Sequence, residues 1–177
     1  MWDSWRMVHR ETILRALGHI GTVGGVYEVG AGSGPNLRLI RENFPQVHLA
    51  GSEPYGPMRQ WVREHLGIRL DTTRLPGTGC QTADVVISCY TLAYVHPEVL
   101  SEFLEMLPAR RLILAEPTAG IPPHEGAGIK MPDGEKAMGY AVHDYRSALG
   151  EAGWRLTGLW TDNNANNLNA VMTAERV

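Results

Sequence analysis

The 177-residue sequence predicts an α/β fold, with a mostly parallel sheet covered by helices on both faces and closed by an antiparallel hairpin. Three observations predict it. Short apolar runs alternate with helical patterns, as in successive strand, helix and strand units joined by right-handed crossovers. One strand-to-helix turn is rich in glycine, which puts a ligand at the carboxyl ends of the strands. The last two strand-like runs are too close together for a crossover helix, so they pair antiparallel.

The opening segment, residues 1–20, is expected to carry a helix from about Ser4 to Leu17, because Val8, Ile13, Leu14 and Leu17 recur close to helical spacing. Trp2 and Trp5 either close over a ligand from this helix or pack in a core. The first strand, Val23 to Val29, leads into Glu28-Val29-Gly30-Ala31-Gly32-Ser33-Gly34, and Pro35 opens a helix. Glycine suits such a turn because it adopts positive φ and lets backbone N–H groups approach a ligand without interference from a Cβ atom. The Gly-x-Gly-x-x-Gly spacing of a dinucleotide-binding loop is not met. Its third glycine comes one residue early, and Pro35 stands where that fingerprint wants it.

A second strand, Val47 to Gly51, ends in Ser52-Glu53-Pro54 and places a carboxylate nineteen residues past Gly34. That offset is close to the one expected of a ribose-binding acid, and the competing reading is a surface glutamate before a turn. A third short strand, Ile68 to Leu70, delivers Asp71-Thr72-Thr73-Arg74-Leu75-Pro76, in which Asp71 is either a turn cap or a ligand contact. The fourth strand is Ala83 to Ser88, followed by Cys89-Tyr90-Thr91, and the fifth is Arg111 to Pro117. Residues 117–142 are too long for an ordinary connection and read as a lid or acceptor-binding insertion. A helix carrying Tyr145 and Leu149 follows. The closing hairpin pairs Arg155 to Thr161 with about Leu168 to Thr173 across a turn at Asp162-Asn163-Asn164-Ala165-Asn166-Asn167.

The acid-x-Gly-x-Gly-x-Gly run from Glu28 to Gly34 resembles motif I of class I S-adenosylmethionine (SAM)-dependent methyltransferases. The Asp71 to Pro76 segment is similar to the family's Asp-x-x-x-Leu-Pro, and Glu151-Ala152-Gly153-Trp154 to its Ala-Gly-aromatic segment. The order and spacing of these signals carry the resemblance over about residues 24–177. It implies a single-domain Rossmann-like methyltransferase fold across 1–177, with a seven-stranded sheet. It further implies SAM as cofactor and S-adenosylhomocysteine as product, held by Glu28, Gly30, Ala31, Gly32, Ser33, Gly34, Glu53, Pro54, Asp71, Thr72, Ser88 and Cys89. In this reading Glu53 takes the ribose hydroxyls and Asp71 the adenine amino group.

Acceptor-side candidates come from loops above the strand ends. Tyr90 is placed to pack beside a sulfonium or orient an acceptor, and Glu116 to point into the expected cleft. His124 and His143, with Tyr140, are the general-base or acceptor-contact candidates, since histidine titrates near neutral pH. Each also has a plain structural reading, and His143-Asp144 alternatively starts a helix.

Several substrate classes lose support from what is missing. No Asn/Asp-Pro-Pro-Tyr/Phe segment follows the fourth strand, no proline precedes Cys89 as in cytosine-C5 enzymes, and that loop lacks the acids of a magnesium-dependent O-methyltransferase. Glu98, Glu102 and Glu105 read as one helix's surface, not as the paired-glutamate loop of arginine methyltransferases. A small-molecule acceptor is therefore expected, with no metal.

A formal charge of −3 argues against broad adhesion to nucleic acid or anionic membrane; Arg59, Arg63, Arg69 and Arg74 read as solvated helix positions ahead of a local basic binding face. Cys80 and Cys89 have no metal-like spacing and suggest no disulfide framework; Cys89 reads as a buried, inert thiol. Neither a signal peptide nor a membrane-length apolar run is seen, so a cytoplasmic setting is expected. The oligomeric state is left open, a homo-oligomer included. Two other functions stay in view: a non-catalytic SAM-binding regulatory or partner subunit, and an NAD(P)-dependent oxidoreductase, which the glycine spacing and the lack of a Tyr-x-x-x-Lys pair oppose.

Overall fold

The structure, a computed structural model, describes residues 3–72, 83–117, 143–161 and 169–177. Helix α1 (Asp3–Ile20) precedes β1 (Gly25–Val29), α2 (Pro35–Asn43), β2 (His48–Ser52), α3 (Gly56–Leu66) and β3 (Leu70–Asp71). Then come β4 (Val85–Cys89), a 3-10 turn (Leu92–Tyr94), α4 (Pro97–Met106), β5 (Arg111–Pro117), α5 (Tyr145–Glu151), β6 (Trp154–Thr161) and β7 (Asn169–Arg176). The seven strands form one sheet in the order β3-β2-β1-β4-β5-β7-β6. The first five are parallel, and β7 runs antiparallel to both β5 and β6.

The strands are apolar on both faces because both faces are covered. Val26, Val85, Ile87, Ile113, Ala115 and Val171 pack with Ile13, Ala16 and Leu17 of α1 and Ile40 of α2. Their neighbours in sequence, Tyr27, Val86, Leu112, Leu114, Ala170 and Met172, pack with Leu100, Phe103 and Leu104 of α4 and Tyr145 and Leu149 of α5. A smaller cluster joins Leu37 of α2 and Val62 and Leu66 of α3 to Ile68 and Leu70. Ile68 thus serves that cluster and stands outside β3, which begins two residues later than the sequence suggested. Strand β7 extends to Arg176, whose guanidinium donates to the carbonyls of Ala152, Glu105 and Leu107 and lies 4.2 Å from the centre of the Trp154 ring system.

This architecture brings the carboxyl ends of β1, β2, β3, β4 and β5 to one edge. Register fixes the alignment: Val29 faces Ser88, Ser52 faces Asp71, and Cys89 faces Ala115. The proposed lid up to residue 142, including His124, Lys130, Lys136 and Tyr140, lies outside the described residues, as do Arg74, Cys80, Trp2 and the Asp162 to Asn167 turn.

Candidate functional site

The glycine turn is tied to the end of β2. Ala31 N–H donates to Ser52 O at 2.8 Å, Gly30 N–H reaches Ser52 Oγ at 3.4 Å, and Gly34 N–H closes the turn on Ala31 O at 2.8 Å. Gly30, Gly32 and Gly34 all have positive φ. Their surroundings differ. A Cβ on Gly30 would fall 2.4 Å from Thr91 Oγ1, and one on Gly34 2.9 Å from Leu66 Cδ1, whereas Gly32 has nothing within 4 Å. Gly30 and Gly34 are demanded by packing, and Gly32 faces open space.

Glu53 crosses to this turn. Its Oε2 accepts from Gly32 N–H at 2.9 Å and its Oε1 from Tyr55 N–H at 2.8 Å, while its own N–H donates to Asp71 O at 2.9 Å. Arg59 clamps the backbone from below, donating to the carbonyls of Glu53 at 2.7 Å and Pro54 at 2.6 Å. Asp71 accepts from the Tyr27 hydroxyl at 3.1 Å. The structure therefore brings Gly32, Glu53 and Asp71 together through hydrogen bonds spanning β1, β2 and β3.

A cleft of about 820 Å³ opens here. Gly30, Ser52, Glu53, Pro54, Cys89, Tyr90 and Thr91 line it together with the mainly apolar Tyr94, Val95, Val99, Phe103 and Met106, and with Glu102, which the sequence placed on the helix surface. Its size and its few polar groups are those of a small-molecule or cofactor site.

Glu28 stands behind the turn, 2% exposed. Asn36 Nδ2 donates to its Oε1 at 2.6 Å, and Glu28 Oε2 and Asn36 Oδ1 have no hydrogen-bond partner. Burial pushes the Glu28 carboxyl up to about 8, against the lesser opposing effects of Asn36 and the Arg10 charge. Cys89, expected to be buried, is half-buried and lines the cleft; the burial it has, with Glu28 and Glu116 nearby, pushes its thiol up to about 12, which makes it a poor nucleophile at neutral pH.

The acceptor-side candidates separate. Tyr90 lines the cleft with φ 55°, a left-handed conformation that costs a bulky residue about 1–3 kcal/mol and persists only where its surroundings enforce it. The His9 ring meets it edge-on at 5.7 Å. Glu116, expected to face the cleft, is 0% exposed and does not line it. The same parity that puts Leu112 and Leu114 on the α4 and α5 side turns Glu116 beneath the β4 turn. There its Oε1 accepts from Ser88 Oγ at 2.6 Å, Thr91 N–H at 3.0 Å and Leu92 N–H at 3.1 Å. Burial pushes it up to about 7, opposed by those hydrogen bonds. His143 is also buried and off the cleft lining: its Nε2 lies 3.0 Å from Leu92 O, and burial lowers its pKa. Asp144 caps α5, accepting from Ser147 N–H at 3.2 Å.

Asn36, Thr91 and Arg59 are site residues that sequence reasoning missed. Asn36 left a trace, being a polar residue on the face of α2 that also carries Ile40. Thr91 was named only within the loop after the fourth strand and Arg59 only within a basic group, because their roles depend on contacts with Gly30 and with the Glu53 carbonyl. Among the described residues no group of histidine, cysteine, aspartate and glutamate could hold a metal ion, and no helix is long and apolar enough to cross a membrane.

Five parallel strands closed by an antiparallel pair, in the order β3-β2-β1-β4-β5-β7-β6, make a Rossmann-like fold. Solved structures share it. A 1,6-didemethyltoxoflavin-N1-methyltransferase from Burkholderia thailandensis, with 1,6-didemethyltoxoflavin and S-adenosylhomocysteine bound, matches with a TM-score of 0.71 at 18% identity, over 98% of this chain and 81% of its own. The SAM-dependent methyltransferase SibL matches with a TM-score of 0.70 at 16% identity, over 97% of this chain and 55% of its own. Magnesium protoporphyrin IX methyltransferase from Synechocystis, with SAM bound, matches with a TM-score of 0.61 at 20% identity, over 99% of this chain and 83% of its own. The chain spans about half the length of others, 49% in the mitomycin 7-O-methyltransferase MmcR. No protein-family model and no curated protein matches the sequence.

Proposed function

We propose that this chain is a SAM-dependent methyltransferase, a single domain acting in the cytoplasm on a small-molecule acceptor at oxygen, nitrogen or carbon. The observation that carries this reading is the Glu53 carboxylate, fixed by the Gly32 and Tyr55 N–H groups at the wall of the cleft. A carboxylate so held keeps lone pairs for two ribose hydroxyls. The space over Gly32 leaves room for a ligand against the turn. Glu28, which the resemblance assigns to the cofactor, is buried behind the turn and off the cleft lining, so its part in this reading is to brace the turn through Asn36. Bound SAM supplies a methyl group on a sulfonium, open to displacement by a nucleophile.

The residues then divide by role. Gly30, Ala31, Gly32, Ser33 and Gly34 shape the backbone against the cofactor; Glu53 and Pro54 hold its ribose, Asp71 and Thr72 its adenine, and Cys89 forms part of the floor, while Ser88, expected there too, is buried off the cleft lining on Glu116. Tyr90 stands on the acceptor side. With a leaving group this good, alignment and exclusion of water can supply much of the acceleration, and a general base is required only for some acceptors. His124 remains the acceptor contact proposed for the insertion. The names of the toxoflavin and protoporphyrin enzymes support a small-molecule acceptor.

Calorimetry with SAM, S-adenosylhomocysteine, NAD and NADP tests the reading. Selective binding of the first two is expected. Binding of nicotinamide cofactors alone, or of none, overturns it, and SAM binding without turnover in an acceptor screen would favour a non-catalytic subunit.

A further inference from the structure

Tyr90 is the one described non-glycine residue with positive φ, and it lines the cleft. A backbone of that shape must be held from both sides. Ser88 lies two residues before it, and Thr91 and Leu92 follow it; all three donate to the same oxygen of Glu116. Tyr90 N–H itself donates to Ala115 O at 3.1 Å, the residue just before Glu116. Thr91 carries the arrangement onward, because its hydroxyl donates to Gly30 O at 3.4 Å and fills the space where a Gly30 Cβ would lie. One buried carboxyl group thus organises the turn that bears Tyr90 and presses Thr91 on the glycine turn.

We propose that Glu116 is a positioning residue, which fixes the β4 turn so that Tyr90 and Thr91 shape the cleft, and that it exchanges no proton with the acceptor. The proposal rests on reading the cleft as the cofactor site. What Glu116 supplies is an acceptor oxygen at one place. Glutamine keeps that oxygen where it is, whereas aspartate keeps the carboxyl group and withdraws it by one methylene.

Amide hydrogen exchange of Thr91 and Leu92 in the ligand-free protein, with S-adenosylhomocysteine affinity and turnover on an identified acceptor, tests this in Glu116→Gln and Glu116→Asp. Glu116→Gln is expected to keep the protection of both amides, and to keep affinity and kcat within about threefold. Glu116→Asp is expected to lose protection at both amides and to bind S-adenosylhomocysteine at least tenfold more weakly, with melting showing a folded protein. Turnover abolished in Glu116→Gln but kept in Glu116→Asp would overturn the proposal and make the residue an acid or base. Equal protection of both amides in both variants would overturn it as well. The exchange pattern needs no ligand, so a wild-type protein that binds no SAM would remove the cofactor reading while exchange still judged the hold of Glu116 on the turn.

Discussion

Asn36 donates a 2.6 Å hydrogen bond to Glu28, joining the first turn of α2 to the end of β1 behind the glycine turn. Polar contact is local there, yet the site is sealed from water, and the carboxyl group is pushed up to about 8. At neutral pH the folded protein therefore holds a proton that the unfolded chain releases.

Stability is accordingly expected to fall as pH rises from about 4.5, where the unfolded acid ionises, to about 8, since the native state binds more protons throughout that window. Glu116 acts in the same direction up to about 7. Glu28→Gln should flatten the pH dependence and be more stable than wild type at pH 8 by roughly 1 kcal/mol or more. Urea unfolding of both proteins at pH 5, 6.5 and 8 checks this, and parallel curves would contradict it.

Gly32→Val and Glu53→Ala should each weaken SAM binding at least tenfold, about 1.4 kcal/mol, while far-ultraviolet circular dichroism stays native. Calorimetric titration reads the outcome. Unchanged affinity in both variants would remove the assignment of the cleft to the cofactor.

Gly34→Ala should cost more stability than Gly32→Ala. Both positions have positive φ, worth roughly 1–2 kcal/mol to a side chain, but only Gly34 would drive a methyl group against Leu66 and Val62. Thermal melting of the two variants should rank them in that order.

Asp71→Ala should weaken binding through the adenine end and abolish discrimination between adenine- and hypoxanthine-bearing cofactors. Competition between the two forms is the measurement. Undiminished discrimination would free Asp71 for its contact with Tyr27 alone.

Cys89 should be inert. In a Cys80→Ser variant the remaining thiol is expected to react with a disulfide reagent at pH 8 at least tenfold more slowly than in the urea-unfolded chain, because burial and two neighbouring acids oppose its thiolate.

The fold was largely legible because its signals are local. Val85 to Cys89 and Arg111 to Pro117 read as apolar runs since helices cover both of their faces, and Gly34 with Pro35 announced the start of α2. Strand β3 was misplaced because Ile68 is apolar for a different partner, the cluster between α2 and α3. Within the candidate site, spacing sufficed to bring Glu53 to the glycine turn and the cleft wall, whereas placements that depend on which way a side chain turns were illegible. Glu116 shares the parity of Leu112 and Leu114, but only the assembled sheet shows that the β4 turn lies on that face. His143 meets Leu92 across fifty-one residues of chain, a distance no local pattern reports.

Strand β7 lies between β5 and β6 although it is the last of the three in sequence. On the ribosome, the nascent chain would expose the edges of β5 and β6 until residues through Arg176 emerge, so the order of synthesis leaves the middle of that half of the sheet for last. Stalling or truncation before Asn169 would release a chain with one edge of β5 bare, β6 without any partner strand and no Val171 or Met172 to bridge them, a species suited to chaperone capture and to aggregation.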